Sequence, residues 1–344
     1  MSDISLRGGL AELKAKALAK GVPLIAHLEL THRCRWSCLF CCNPPLTEGH
    51  ELDFWGWRRV LTDLRELGTL FVTLTGGDPL LHPEFFEIAA AARRLGMALR
   101  VFTNGSAIND RAAGRLAGLR CLSVELSMHG ATDESHDEVT RRRGSFRQLW
   151  HAVERLQAHS VPVVLKCPVS RLNENELPGI ISVAEENGLP LRLDPTIVVG
   201  DDGDQDPLRW RATPAGVQKT MEVLADHNQL PVAENGLDQP VCGVGANTLA
   251  IDPYGFVYPC IQWRHDRLGN VRATPLRGLW RDSAARGRAA SAAREAGTML
   301  AERYDAVSRY PFCPALAARE HADPLAIGPF LQQQAETADA LRSV

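Results

Sequence analysis

Cys34-Arg-Trp-Ser-Cys38-Leu-Phe-Cys41 places three thiols at C-x3-C-x2-C spacing, so three thiolates can converge on one metal centre from a single loop. Closed structural zinc sites take four protein ligands, whereas an iron-sulfur cluster held by three cysteines keeps one iron free for another molecule. On these residues alone a zinc knuckle or a chance cluster stays open. Immediately upstream, Leu24-Ile-Ala-His-Leu-Glu-Leu-Thr31 reads as a buried strand. The loop therefore falls at a strand's C-terminal end, where α/β barrels keep their active sites.

Outward from this stretch, strand-like and helix-like segments alternate six times. Strands are expected near 25–30, 70–74, 99–103, 122–126, 161–167 and 191–193, with helices such as 55–67, 83–95, 146–159 and 176–187 between them. Regular βα alternation implies a parallel sheet with covering helices. Ahead of it, Leu10-Ala-Glu-Leu-Lys-Ala-Lys-Ala-Leu reads as a short amphipathic helix ended by Gly21, a lid or brace. After the sixth strand, Asp201-Asp-Gly-Asp-Gln-Asp206 tempts a calcium reading, but Pro207 stands where the loop requires glycine, so a solvated loop is expected. A helix near 213–227 then leads into a second domain.

Three strand ends carry further motifs. Thr75-Gly-Gly-Asp-Pro79 follows the second strand, where two glycines permit close backbone approach and Asp78 can take an ammonium; a plain strand-to-helix turn is the alternative. The third strand ends in Phe102-Thr-Asn-Gly105 and the fourth in Ser127-Met-His-Gly130. Together with the cysteine loop, these resemble the signature of the radical S-adenosylmethionine (SAM) enzymes. The resemblance implies an incomplete, TIM-like (β/α)6 barrel and a [4Fe-4S] cluster on Cys34, Cys38 and Cys41 whose free iron chelates SAM. Reductive cleavage of SAM would then give a 5′-deoxyadenosyl radical that abstracts hydrogen from a C–H bond. It further implies a SAM pocket of Phe40, Gly76, Gly77, Asp78, Asn104 and Ser127, with Asp78 where glutamate is commoner. His129 departs from the pattern; it is read as hydrogen-bonding a neighbouring loop, with proton donation as the alternative. Arg141, Arg142 and Arg143 read as a solvated charge run, with a contact from one of them to the SAM carboxylate or an anionic substrate as the alternative.

Downstream, Cys242 and Cys260 bracket a hairpin pattern with its turn at Asp252-Pro-Tyr-Gly255, and Cys313 follows. This resembles the SPASM and twitch extensions, which implies one auxiliary cluster, taken as [4Fe-4S], on Cys242, Cys260 and Cys313. Its fourth ligand is open among substrate, water, His321 and Asp323. Cys167, closing the fifth strand, is a candidate hydrogen donor if it faces the barrel mouth, and a small core residue otherwise. Cys42 is expected beside the cluster and Cys121 in the core. The expected division is a helix over 1–21, the barrel over 22–230, the auxiliary domain over 231–320 and a helical tail over 321–344.

Hydrophobic residues make up 45% of the 344 and charged residues 23%, an ordinary globular balance, and the net charge of -3 gives no case for nucleic acid. No apolar run approaches the roughly 20 residues of a bilayer span, and no signal peptide opens the chain, so a cytoplasmic location without a membrane partner is expected. Nine cysteines in such a setting point to metal or redox chemistry. The expected partners are SAM, an external one-electron reductant such as flavodoxin or ferredoxin, and a substrate that is a small carbohydrate or cyclitol, to be epimerised or dehydrogenated, or a peptide. With only about 20 residues ahead of the first strand, a peptide leader would need a separate partner, which favours the compact substrate; the alternative is cross-linking of a ribosomally made peptide. An electron carrier and a zinc module are the competing classes, and Gly76, Gly77 and Asp78 argue against the carrier.

Overall fold

Alternation of apolar and polar residues along six consecutive strands decides the architecture. The structure is a computed structural model describing residues 3–44, 49–227, 240–303, 312–330, 332–333 and 336–337. After α1 (Asp3–Lys20), the chain runs β1 (Ile25–Thr31), α2 (Phe54–Leu67), β2 (Phe71–Gly76), α3 (Phe85–Arg94), β3 (Ala98–Thr103), α4 (Asp110–Leu119) and β4 (Ser123–Ser127). It continues through α5 (Asp133–Thr140), α6 (Ser145–Ala158), β5 (Val163–Pro168), α7 (Leu177–Glu186), β6 (Leu191–Asp194) and α8 (Pro214–Asp226). β7 (Thr248–Ile251), β8 (Phe256–Tyr258), β9 (Gly269–Asn270), α9 (Leu276–Asp282), α10 (Ala284–Arg303) and α11 (Pro314–His321) complete it.

The sheet order is β6-β5-β4-β3-β2-β1-β7-β8-β9, and β1 to β6 pair in parallel with their sequence neighbours. With β6 at one edge and β9 at the other, the sheet stays open: an incomplete (β/α)6 barrel extended by the hairpin. β7 runs parallel to β1, pairing Ile25 with Thr248 and Leu28 with Ile251, so the C-terminal strands continue the barrel sheet.

One face of each barrel strand, including Leu28, Leu74, Val101, Leu126 and Leu165, packs under the helices in the main core. The opposite face, which lines the lumen, carries Glu29, Arg100, Glu125, Lys166 and Arg192, and Glu125 is fully buried with Arg192 at 3.4 Å, Lys166 at 3.8 Å and Arg100 at 4.0 Å. Helix boundaries follow local chemistry. Asp53 Oδ1 accepts from the Gly56 N–H at the start of α2, Gly68 closes it at φ +94°, and Thr132 with Ser135 forms a capping box on α5.

Three expectations need correction, and one helix is added. α1 buries no apolar stripe: among its described side chains only Ala17 is buried, and Leu10 is exposed. The acidic loop is solvated at Asp202, Asp204 and Asp206, but the Asp201 side chain is 10% exposed and ion-paired, for reasons given below. Cys167 shares strand parity with Leu165 and lies in the helix-packed core, so it does not face the lumen as a hydrogen donor must. α10, an alanine-rich helix, was not anticipated. The boundary expected near residue 230 and most of the tail after 330 lie outside the described residues.

Candidate active site

The cysteine loop is fastened from three sides. The Ser37 and Leu39 N–H groups donate to the carbonyls of Thr140 (3.1 Å) and Val139 (3.0 Å) at the end of α5. Arg35 reaches the Ser106 carbonyl at 3.0 Å, and the Trp36 ring stands edge-on to His136 at 5.4 Å. From β2, the Gly77 and Asp78 N–H groups donate to Thr31 O (2.7 Å) and Arg33 O (2.8 Å), while Asn43 Nδ2 donates to Gly76 O at 2.8 Å.

Gly76 and Gly77 therefore serve the loop itself. A Cβ at Gly76, whose φ is +129°, would sit 2.2 Å from Thr31 O, and one at Gly77 would sit 2.4 Å from Arg33 O. The close approach expected towards a ligand is made towards the loop backbone, and the Gly77 N–H is spent there. Asp78 is different. Its Oδ1 accepts from Thr103 Oγ1 at 2.9 Å and Leu80 N at 3.2 Å, whereas Oδ2 is buried with no partner. An orphaned buried carboxylate oxygen fits a ligand ammonium.

Asn104 turns out to hold the loop: Nδ2 donates to Cys34 Sγ at 3.3 Å and Oδ1 accepts from Ser106 N. Phe40 packs with Val139 and Ile197 and against the His129 ring at 5.5 Å. Ser127 ends β4 on the lumen side, opposite Lys166. His129 is buried among Trp36, Phe40 and His136 with Nδ1 unpartnered, and burial, with His136 adding to it, lowers its pKa to about 3, so the ring is neutral. The expected hydrogen bond of its side chain is replaced by ring packing. Arg141, Arg142 and Arg143 are exposed.

All nine thiols are free. Cys34 and Cys41 are exposed and Cys38 is half-buried; burial, then the neighbouring Cys41 and Cys34, holds the Cys38 thiol well above its usual range. Cys242, Cys260 and Cys313 gather around a second core of Val244, Trp263 and the α10 alanines Ala289, Ala292 and Ala293. Burial, then Cys313 and Cys260, pushes Cys242 up to about 12, and burial with Cys313 does the same for Cys260. Among the described residues no three His, Cys, Asp or Glu side chains converge at the spacing of a single ion; cluster thiolates bind separate irons. Two exposed or half-buried sets of three neighbouring free thiols match the donor chemistry of iron-sulfur clusters. As for the expected fourth ligands, Cys313 caps the start of α11 and His321 ends it, about 12 Å apart at 1.5 Å per residue. Asp323 lies beyond it and caps Leu325 N.

The two halves meet in a buried charge network that the sequence did not signal. Arg264, four residues after Cys260, pairs with Glu29 of β1 and, at 3.1 Å, with Asp201. Asp201 also receives Arg319 of α11 at 3.0 Å, and its own N–H donates to Cys42 O at 2.8 Å. Above this network a cleft of about 510 Å³ opens between the cysteine loop and the hairpin, lined among others by His32, Pro44, Tyr254 and Tyr258.

Comparison with known proteins gives this geometry its context. The description "Radical SAM superfamily" matches residues 28–183 and "Iron-sulfur cluster-binding domain" (SPASM) matches 242–302. The mycofactocin maturase MftC of Mycobacterium ulcerans is 29% identical over 269 residues, 72% of either chain. A PqqA peptide cyclase of Xanthomonas campestris is 32% identical over 168 residues, and this chain spans less than half, 45%, of its length. Among solved structures, Streptococcus suis SuiB bound to S-adenosylmethionine superposes with a TM-score of 0.68 at 14% identity, covering 93% of this chain and 79% of that one. Native anSMEcpe with bound AdoMet gives 0.72 at 16% identity, covering 93% and 98%; these likenesses establish the fold. No helix among the described residues is long and apolar enough to cross a membrane. With its radical SAM core and its cluster-binding extension, this chain belongs to the SPASM-containing radical SAM enzymes, whose cofactors are [4Fe-4S] clusters and SAM.

Proposed function

We propose that this chain is a peptide maturase that forms a cross-link in a peptide substrate with loss of two hydrogens, one taken from a C–H bond as a hydrogen atom by the nucleoside radical and the other leaving as a proton, its electron to be accepted by the auxiliary cluster. The observation that supports this most is the similarity to the mycofactocin maturase across 72% of both chains. A PqqA peptide cyclase matches 48% of this chain as well. The compact carbohydrate or cyclitol substrate, and epimerisation with it, are not carried forward; Cys167, the donor that epimerisation would use, is packed in the core.

In this reading Cys34, Cys38 and Cys41 hold the cluster that binds SAM, and Cys242, Cys260 and Cys313 hold the auxiliary one. When bound, the first cluster supplies one electron to cleave SAM and yield the hydrogen-abstracting nucleoside radical. Asp78 Oδ2 takes the ammonium of SAM, Asn104 orients the Cys34 sulfur, and Ser127 presents its hydroxyl to the lumen. The packed rings of Trp36, Phe40 and His129 exclude water from beneath the loop. Thiolate ligation requires the raised thiols to lose their protons, so cluster assembly is expected to slow as pH falls below neutrality. The electron comes from outside the chain, from a carrier such as flavodoxin or ferredoxin.

The test is anaerobic reconstitution with iron and sulfide, reduction with SAM, and mass spectrometry of short peptides encoded beside the gene. About eight irons per chain, 5′-deoxyadenosine, and a peptide lighter by two hydrogens support the reading. An unchanged peptide alongside a modified sugar or cyclitol would overturn it.

A further inference from the structure

The cleft between the cysteine loop and the hairpin contains buried polar groups with nothing to bind. His32 and Arg264 both line it, and each side chain is only 6% exposed. Both His32 ring nitrogens and Arg264 Nε lack hydrogen-bond partners among the described residues. The His32 backbone N–H donates to Glu51 at 3.2 Å, but the carboxylate oxygen nearest its ring, on Glu29, stands 4.0 Å from Nε2, beyond hydrogen-bond reach. Buried donors and acceptors are nearly always paired, and leaving one unpaired costs about 1–3 kcal/mol.

Charge narrows what would pair them. Arg264 and Arg319 already face Glu29 and Asp201, two cations against two carboxylates, so the network is neutral as it stands. The lining as a whole sets Arg264, Arg267 and Arg272 against Asp201, Asp202 and Asp252. A carboxylate or phosphate gains nothing from such a surface. A neutral group that both accepts and donates one hydrogen bond does, and the Tyr254, Phe256 and Tyr258 walls suit an apolar side chain next to it. The volume is that of a small-ligand pocket and admits a few residues of extended chain.

We infer that this cleft is a peptide-backbone subsite, in which Arg264 Nε–H donates to a substrate carbonyl and a His32 ring nitrogen accepts from a substrate N–H. The inference rests on the peptide reading above and adds to it the residues that grip the chain. Its place fits: Asp201 and Pro44, which line the cleft, adjoin the cysteine loop, Asp201 through its bond to Cys42 O.

The test uses the full chain, reconstituted anaerobically with SAM, and the blocked tripeptide N-acetyl-Ala-Phe-Ala-amide, with binding followed by saturation-transfer NMR. An analogue with the Ala–Phe amide replaced by an ester lacks that N–H, and myo-inositol serves as the non-peptide probe. His32→Phe keeps the edge contact with Tyr254, at 5.6 Å between rings, and Arg264→Lys keeps the charge facing Glu29 and Asp201. The tripeptide is expected to saturate, and the ester, His32→Phe and Arg264→Lys each to weaken it by about fivefold or more. The ester is expected to cost nothing further in His32→Phe. Should Arg264→Lys fail to fold, the His32→Phe and ester pair carries the test alone. A tripeptide bound equally well with ester and variants overturns the subsite and leaves the peptide reading standing. Binding of myo-inositol without the tripeptide, or binding of neither, overturns the subsite, and the first of these overturns the peptide reading too.

Discussion

Asp78 Oδ2 sits without a partner where burial makes that expensive. Burial pushes the Asp78 carboxyl up to about 6, against the opposing pull of Thr103, the Leu80 N–H and Arg35. A carboxyl held above its unfolded value, about 3.9, stabilises the fold most below that value, and the advantage is lost as pH rises through the folded value near 6. Asp78→Asn is therefore expected to make the cofactor-free chain more stable at pH 8, by about 2 kcal/mol, in urea titrations. The same change should weaken SAM binding by about 30-fold in calorimetry, the scale of one charge-assisted hydrogen bond. Wild-type affinity for SAM should fall as pH drops below about 6. The identity of Asp78 was legible in the sequence because Gly-Gly-Asp-Pro follows a strand; its orphaned oxygen was not, since partner geometry is a tertiary property. Asn104 was legible as a residue at the right strand end but not as the group that steadies Cys34.

At the scale of elements, the β2 end and the cysteine loop act as one piece because two glycines let their backbones touch. Gly77→Ala would press a methyl against Arg33 O and His32 O, both within 2.5 Å. The chain is expected to fold and to retain the auxiliary cluster while losing the SAM-binding one, so that iron falls from about eight to about four per chain. Cys260→Ala is expected to give the complementary loss, with 5′-deoxyadenosine still formed and peptide product absent by mass spectrometry. All six barrel strands were legible to within about two residues, because period-two apolar alternation and turn residues mark them locally, and the Asp252–Gly255 turn likewise. α5 and α10 were not singled out. α5 is eight residues long with little apolar content, and its role lies in two terminal carbonyls that hold Ser37 and Leu39. α10 is rich in alanine, whose small side chains give little period to read, yet those same side chains let it approach Cys242 closely.

For the whole molecule, the binding elements are Glu29, Arg264, Asp201 and Arg319, which join β1, the loop after β6, the hairpin and α11. Asp201→Asn leaves two buried guanidiniums short of a carboxylate, and such a loss costs about 3–5 kcal/mol. A fall of several degrees in the midpoint of thermal unfolding is expected, with Asp202→Asn, at an exposed neighbour, as the silent comparison. This network escaped the sequence because its members lie up to 290 residues apart (Glu29 and Arg319) and each reads alone as an ordinary surface charge. The sheet order places β1 between β2 and β7, with five strands on one side of it and three on the other. The strand that carries the cysteine loop is thus shielded from solvent on both hydrogen-bonding sides. Its amide protons are expected to be among the last to exchange with deuterium, while those of edge strands β6 and β9 exchange early; the metal-bearing loop hangs from the part of the molecule that opens least often.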